Sequence, residues 1–413
     1  MTTKRLIIAP HDPAEFLGGT ERVVDAMVRA RIRRGEEIVM IAGSERFADA
    51  GETESRGEPN LAIHTMIRAR NETGEIFLRP RIRADFERIF NTVRPQIVEW
   101  HHGATLSLDL VRAAVDRGAK VVMFLHDLWV SCPRFFRIPP RGIVCPSGVD
   151  RGACTPCARL DLPWELENVK NWVDHYTEAA RFELCAADLR IAPSRSHADT
   201  IESYFSDLPL NIQIVPHGLL DSDLPDPPRR LGPAEPGKLR IVHFGNLVPE
   251  KGIEDLARAF TMLNHPQSII LDLYGEELAA GFVDKVRGIC PQVEIRWHGG
   301  YRSFRNIYDR VVASDVAAFP SRAPESYGLV VDEALAAGLP VLVSNRGALR
   351  ERANGAGAVL AAESPEAWAA EIQQLLDEPA KLVNYRAAVI TKRHTIEHAI
   401  DQIDALVAAL AGC

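Results

Sequence analysis

The chain has 413 residues, 46% of them hydrophobic and 25% charged, with a formal net charge of −8 at pH 7. That length exceeds one ordinary hydrophobic core and implies two or three domains. The acidic balance excludes a general nucleic-acid binder, which needs a basic face, and no apolar run reaches the roughly 18 residues that a membrane-spanning helix requires.

The chain opens with MTTKRLIIAP, basic residues ahead of a short apolar run. It has no small-residue cleavage site and runs directly into a polar loop. It therefore reads as a first strand rather than a signal peptide, and a cytoplasmic location is expected, with peripheral membrane contact left open. Gly18 and Gly19 follow, then a helix from about Glu21 to Arg34, closed by Gly35. Missing side chains at Gly18 and Gly19 let backbone approach a ligand closely, although a tight turn has the same composition.

Further strand candidates in the first half are EIVMIAG, LAIHTM, QIVEWHH, KVVMFLHD, LRIAPS and IQIVPHG. Between the third and fourth of the seven lie Arg68, Arg70, Arg79, Arg81, Arg83, Arg88 and Arg94, with Ile82, Phe86, Ile89, Phe90 and Val93 at helical spacing. Such a helix either lies on an anionic membrane or covers a sheet with its arginines in solvent. The second reading is favoured, because a sheet buried on both faces needs that cover. His126 and Asp127 end an apolar strand. Shortly after come Cys132, Cys145, Cys154 and Cys157, the last two as Cys-x-x-Cys, in a loop rich in Arg, Pro and Gly. Four thiolates at such spacing suit a structural zinc; reduced unligated thiols and an iron–sulfur cluster or redox pair are the alternatives.

Residues 221–238, DSDLPDPPRRLGPAEPGK, have linker composition. Beyond them the strand candidates are LRIVHFGN, SIILDLYG, VEIRWHGG, DVAAFPS, PVLVSN and AVLAA. Apolar strands alternating with helices predict parallel sheets. The predicted organisation is a Rossmann-like domain over 1–220, carrying a cysteine-rich insertion at about 130–160, a second over 221–395, and a terminal helix over 396–413. Ile396, Ile400, Ile403, Leu406, Val407 and Leu410 give that helix a buried face, without saying which domain it covers. Ligands of open α/β sheets bind beyond the carboxyl ends of the strands, so the site is expected in a cleft between two facing domains.

The stretch from Pro320, PSRAPESYGLVVDEALAAGLPVLVS, carries the most chemistry. A strand ends at Phe319, Ser326–Gly328 make a turn, and a helix runs from about Leu329 to Ala337. The amides of Gly328, Leu329 and Val330 at its start suit a diphosphate. Glu325 lies before the helix and Glu333 about one turn inside it. Carboxylates accept hydrogen bonds from adjacent hydroxyls, as in a sugar or a ribose diol.

This pattern resembles glycosyltransferase family 4, retaining enzymes of the GT-B fold, whose acid–seven residues–acid motif reads here Glu325-SYGLVVD-Glu333. Gly18-Gly19-Thr20, His126-Asp127, Pro193-Ser194, Pro216-His217-Gly218, Gly245 to Gly252, Ala336 to Val341, Gly347 and Glu351 fit in order, over nearly the whole chain. Some members carry a similar cysteine-rich insertion after the His-Asp pair. The resemblance implies a transferase moving a sugar from a nucleoside-diphosphate donor to a glycan, lipid-linked glycan or small acceptor, for example in polysaccharide biosynthesis. It assigns Glu325 to the donor sugar, Glu333 to the ribose, Lys251 to the pyrophosphate and His126 to the sugar near its anomeric centre. It places Gly18, Gly19, Asn246, Gly275 and Ser326 among the donor contacts. His101 and His102, near His126 in the same half, are read as candidate acceptor contacts. The family often has arginine at Asn246, so either diphosphate binding is weaker here or another arginine such as Arg322 substitutes for it. No catalytic metal is expected where Lys251 and the helix amides offset the leaving group. Two other readings are a nucleotide-sugar epimerase or hydrolase on the same fold, and a non-catalytic sugar-nucleotide-binding protein.

Overall fold

The computed structural model describes residues 4–72, 76–138, 145, 153–159, 166–221, 223–228, 234–389 and 393–411. The chain divides into two compact units, the first made of Met1–Leu220 with Ile396–Cys413 and the second of Asp221–Thr395. None of the described helices is long and apolar enough to cross a membrane.

The first unit contains β1 (Arg5–Ala9), α1 (Gly19–Arg33), β2 (Ile38–Ala48), β3 (Glu52–Glu58), β4 (Leu61–Ala69), α2 (Pro80–Val93), β5 (Ile97–Trp100), α3 (Leu110–Val115), β6 (Lys120–Phe124), α4 (Cys154–Ala158), α5 (Leu166–Ala186), β7 (Leu189–Ala192), α6 (Arg195–Tyr204) and β8 (Gln213–Ile214). The strand order is β3-β4-β2-β1-β5-β6-β7-β8. Every residue of β1 is buried, as expected of a central strand covered on both faces. The sheet departs from the all-parallel expectation at one edge, where β3 pairs antiparallel with β4. Its sequence, ETESRGE, lacks an apolar face and is mostly exposed, so no hydrophobic pattern announces it. Charge on an edge strand also discourages pairing with another chain.

Helix α2 is the basic helix, and it covers the sheet. Pro80 starts it, and Ile82, Phe86, Ile89 and Phe90 are buried, each side chain contributing about 1.5–3 kcal/mol. Its arginines are held by neighbouring carboxylates: Arg81 and Arg88 by Asp85, Arg83 by Glu87 and Asp109.

The second unit contains β9 (Leu239–Phe244), α7 (Ile253–Phe260), β10 (Ile269–Tyr274), α8 (Phe282–Ile289), β11 (Glu294–Trp297), α9 (Tyr308–Val311), β12 (Val316–Phe319), α10 (Leu329–Ala336), β13 (Val341–Ser344), α11 (Leu349–Ala353), β14 (Gly357–Leu360), α12 (Pro365–Asp377) and α13 (Pro379–Ala387). Its strands are ordered β11-β10-β9-β12-β13-β14 and pair in parallel. This is the doubly wound Rossmann order, which reverses between β9 and β12; in the first unit the order reverses between β1 and β5. The loops after these four strands are therefore where each unit can hold a ligand.

Helix α14 (Ile396–Ala411) belongs to the first unit. Ile396, Ala399, Ile400, Ile403 and Val407 are buried. Asp404 accepts from Arg5 Nη2 at 2.7 Å and Arg31 Nη2 at 3.1 Å, while both arginines also bond Glu99, on β5. Arg31 and Glu99 are fully buried. Removing one partner from such a network leaves an uncompensated charge and costs about 3–5 kcal/mol.

Candidate active site

In the second unit the loops after β9 and β12 meet. Gly252 has φ of 72°, and a β-carbon there would fall inside the van der Waals radius of Pro320 O. Only glycine lets this loop pack against the end of β12. Arg322 N–H donates to Glu250 O at 2.8 Å and fastens the approach. Lys251 is thereby brought to Glu325: Nζ donates to Oε1 at 2.6 Å. Ser321 Oγ donates to the same oxygen at 2.8 Å, and Ser321 O accepts from Ser344 Oγ at 2.6 Å. Glu325 O takes the Ala348 N–H at 2.8 Å, which fixes its backbone. Among the described residues no donor reaches Glu325 Oε2, so one carboxylate oxygen is open to a ligand hydroxyl.

Helix α10 begins four residues later, at Leu329, with Gly328 as its N-cap. The first-turn N–H groups, from Leu329 and Val330, have no preceding helical carbonyl to bond. Asp332 is committed to the fold: Tyr327 Oη donates to it at 2.5 Å and Arg352 Nε at 2.9 Å. Its neighbour Glu333 is buried. Gly275, after β10, lies so close to Gly245 O that no β-carbon fits, which pins the loops after β9 and β10 together. Asn246, next to Gly245, is exposed.

The expectation for Arg322 is not met. Its Nε and Nη2 each donate to Asp255 at 2.6 Å, so the guanidinium is spent on α7. The pairing is unreadable in the sequence because Asp255 lies 67 residues away. His243 on β9 is a further group that the sequence reading missed. Its Nδ1–H donates to Ala318 O at 2.8 Å, leaving Nε2 bare. Burial first, and Lys251 nearby, push its pKa down to about 4.

In the first unit the loops after β5 and β6 gather histidines. His101 Nδ1 and His126 Nε2 share a hydrogen bond of 2.8 Å. Their rings stack in a column with Phe124 and His217. His102 Nδ1 accepts the Ala104 N–H at 3.0 Å, so its proton sits on Nε2, 3.6 Å from Asp127 Oδ2. His197 Nε2 donates to Asp127 O at 3.1 Å. Burial pushes His101 down to about 3 and His197 to about 4, and it holds His126 far below the ordinary histidine range. These rings are neutral at pH 7 and act as hydrogen-bonding groups rather than charges. His101, His102 and His126, together with Asp127, Trp129 and Glu183, line a small pocket.

Gly18 and Gly19 are the N-cap and first residue of α1. Space is open where a Gly19 side chain would stand, whereas Gly18 is crowded by Glu21 and Phe16. His11 bridges Glu21 at 2.7 Å and Glu45 at 2.9 Å. Burial opposes its protonation, but the hydrogen bonds to the two carboxylates outweigh it and its pKa is raised.

All four clustered cysteines are described, and each is a free, half-buried thiol. Among the described residues no group of three or more His, Cys, Asp or Glu side chains is placed to hold a metal ion. Two sulfurs have other partners: Arg134 Nη1 donates to Cys157 Sγ and Arg137 Nη2 to Cys145 Sγ, each at 3.2 Å. Most of the chain between Cys145 and Cys154 lies outside the described residues.

Two family models match: "Glycosyltransferase Family 4" over residues 17–220 and "Glycosyl transferases group 1" over residues 229–392. Glycogen synthase of Mycobacterium tuberculosis is 31% identical over 393 residues, which is 91% of this chain and 86% of that protein. The D-inositol 3-phosphate glycosyltransferase of Kineococcus radiotolerans is 30% identical over 48% of this chain and 51% of that one. Among solved structures, sucrose-phosphate synthase from Thermosynechococcus elongatus aligns with a TM-score of 0.69 at 18% identity, covering 99% of both chains. Anabaena HepE in complex with UDP and glucose aligns at 0.62 and 15% identity, covering 98% of this chain and 100% of that one. The fold is the expected GT-B class, two parallel-sheet Rossmann-like domains.

Proposed function

Because the chain belongs to glycosyltransferase family 4, we propose that it transfers a sugar from a nucleoside-diphosphate sugar to a glycan, lipid-linked glycan or small-molecule hydroxyl, with retention of configuration. The observation that carries this reading is Lys251 and Ser321 converging on one oxygen of Glu325 beside the N-terminus of α10. A diphosphate at that terminus meets unpaired N–H groups and the positive end of the helix dipole. Lys251 then lies ready to offset the charge that grows as the bond between anomeric carbon and diphosphate breaks. Glu325 Oε2 accepts a hydroxyl of the departing sugar, Glu333 takes the ribose, and neutral His126 hydrogen-bonds the sugar. The acceptor oxygen attacks on the face the diphosphate leaves, and its proton passes to a diphosphate oxygen. The protein mainly orients the partners and stabilises charge.

A UDP-sugar is the first donor to try, since HepE was solved with UDP and glucose. Nucleoside diphosphate release is measured with and without acceptor, and the product's anomeric configuration is read by NMR. The expected outcome is acceptor-dependent release and the donor's configuration in the product. Release without any acceptor points to a hydrolase or epimerase, and an inverted product overturns the same-face mechanism.

Structural zinc at Cys132, Cys145, Cys154 and Cys157 is a separate proposal, supported by the Cys-x-x-Cys spacing. It requires Arg134 and Arg137 to release Cys157 and Cys145. Metal analysis of protein purified without chelator tests it: one zinc per chain supports the site, and a metal-free protein removes it.

A further inference from the structure

The buried face of α5 is formed by Val169, Val173, Tyr176, Ala180 and Leu184, and Glu183 lies in the same stripe. Its side chain is 2% exposed, and its Oε1 accepts no hydrogen bond. A buried polar atom in that state is unfavourable unless something in the pocket satisfies it. His101 Nε2, in the same pocket, is also buried without a partner. The other nitrogen of that ring bonds His126. We propose that Glu183 is a positioning residue that acts through a bridging water and His101 to decide which ring nitrogen of His126 carries the hydrogen. This rests on the reading that His126 hydrogen-bonds the donor sugar.

The chain of bonds has two directions. With Glu183 neutral, its O–H donates through the water to His101 Nε2. His101 then carries its hydrogen on Nδ1 and donates to His126 Nε2, so His126 keeps N–H at Nδ1. With Glu183 ionised, every bond reverses. One proton moves along each link, one leaves from His126 Nδ1, and one negative charge remains on the Glu183 carboxylate. His126 thus turns from a donor into an acceptor at Nδ1. Burial raises Glu183 to about 8 and lowers His101 to about 3, so the neutral-acid direction holds at pH 7. The other titratable groups around the pair are already engaged. Asp127 accepts the Trp129 N–H and faces His102, and its carbonyl takes His197. Arg31, which acts on His101, is tied to Glu99 and Asp404. His217 stacks on His126. A small pocket with room for about one water, and with two buried polar groups that lack partners, suits a bridging water, which bonds nearly as well as direct contact.

The test uses the full chain with nitrogen-15-labelled histidine, His126 being assigned by its loss in His126→Phe. The shifts of N–H and bare ring nitrogens report the tautomer without any turnover. Expected for the natural protein is the Nδ1–H form at pH 6.5 and its reversal above about pH 8. Glu183→Gln, whose amide still donates but cannot ionise, keeps Nδ1–H at every pH; Glu183→Leu gives a mixture. If kcat follows His126, its alkaline limb falls about tenfold per pH unit in the natural protein and vanishes in Glu183→Gln. Reversal of the His126 tautomer above about pH 8 in Glu183→Gln, or no reversal in the natural protein, overturns the proposal, whether or not Glu183→Leu folds. Failure to bind or turn over any nucleoside-diphosphate sugar overturns the transferase reading instead and leaves the NMR result standing.

Discussion

Lys251 and Glu325 in the second unit meet as an ion pair at 2.6 Å, whereas His101 and His126 in the first unit meet as two neutral rings at 2.8 Å. The ion pair is part-exposed, its side chains 27% and 15% accessible; His101 and His126 are nearly inaccessible. Burial is what separates them. A partly solvated lysine keeps its charge and can follow charge that develops on a diphosphate, while an imidazole stripped of water stays neutral and reads hydroxyl groups. In the proposed reaction each unit supplies a different half of the sugar chemistry; both groups stand on loops at the same topological place, the carboxyl ends of strands flanking or next to the order reversal.

Substitution breaks the comparison most sharply. Glu325→Gln removes charge from the second unit's site and is expected to lower kcat roughly a hundredfold. His126→Phe keeps the stack and removes one neutral hydrogen bond, so a loss of about tenfold is expected. Equal losses in steady-state kinetics contradict the division of roles. Acid gives the next largest effect. The folded pKa values of His101, His126 and His197 in the first unit, and His243 in the second, are depressed by burial. The stability these rings contribute is complete above the unfolded value of 6.5 and is lost as pH falls below it, by about 1.4 kcal/mol per pH unit for each ring. Glu183, raised to about 8, runs the other way, gaining as pH falls toward 4.5, but it offsets one ring only. Hydrogen exchange is thus expected to show β5 and β6 losing protection before β9 and β12 as pH drops from 6.5 to 5. The smallest effect sharpens the account of the cation. Arg322 serves Asp255, so Arg322→Ala should cost about 1–3 kcal/mol in thermal unfolding and leave kcat within about threefold.

Much of this was readable in advance, for physical reasons. Five of the six strands of the second unit are short apolar runs bounded by polar or glycine-rich turns, β11 (EIRW) being the exception, and all six appear where the pattern puts them. Helix α2 declares its buried face through Ile82, Phe86, Ile89 and Phe90. Strand β3 was invisible because an exposed, charged edge strand buries nothing that a pattern can reveal. Lys251 and Glu325 were legible as motif residues, but their direct bond was not, because 74 residues separate them and only folding joins them. Arg322 failed for the same reason, its partner being set by tertiary structure. Glu183 did leave a signal: an acid inside the apolar stripe Val169, Val173, Tyr176, Ala180, Leu184 is a buried acid wherever that helix packs. The cysteines show the opposite case, since spacing suggests a shared ion while Arg134 and Arg137 occupy two of the sulfurs.

In the proposed function the second unit binds a nucleoside diphosphate through Lys251 and the start of α10. Calorimetric titration of UDP into the natural protein and into Lys251→Ala tests it most directly. The natural protein is expected to bind UDP, and the variant to bind it about tenfold or more weakly. Equal affinity in the two proteins, or no binding of UDP, ADP or GDP by the natural one, would contradict it.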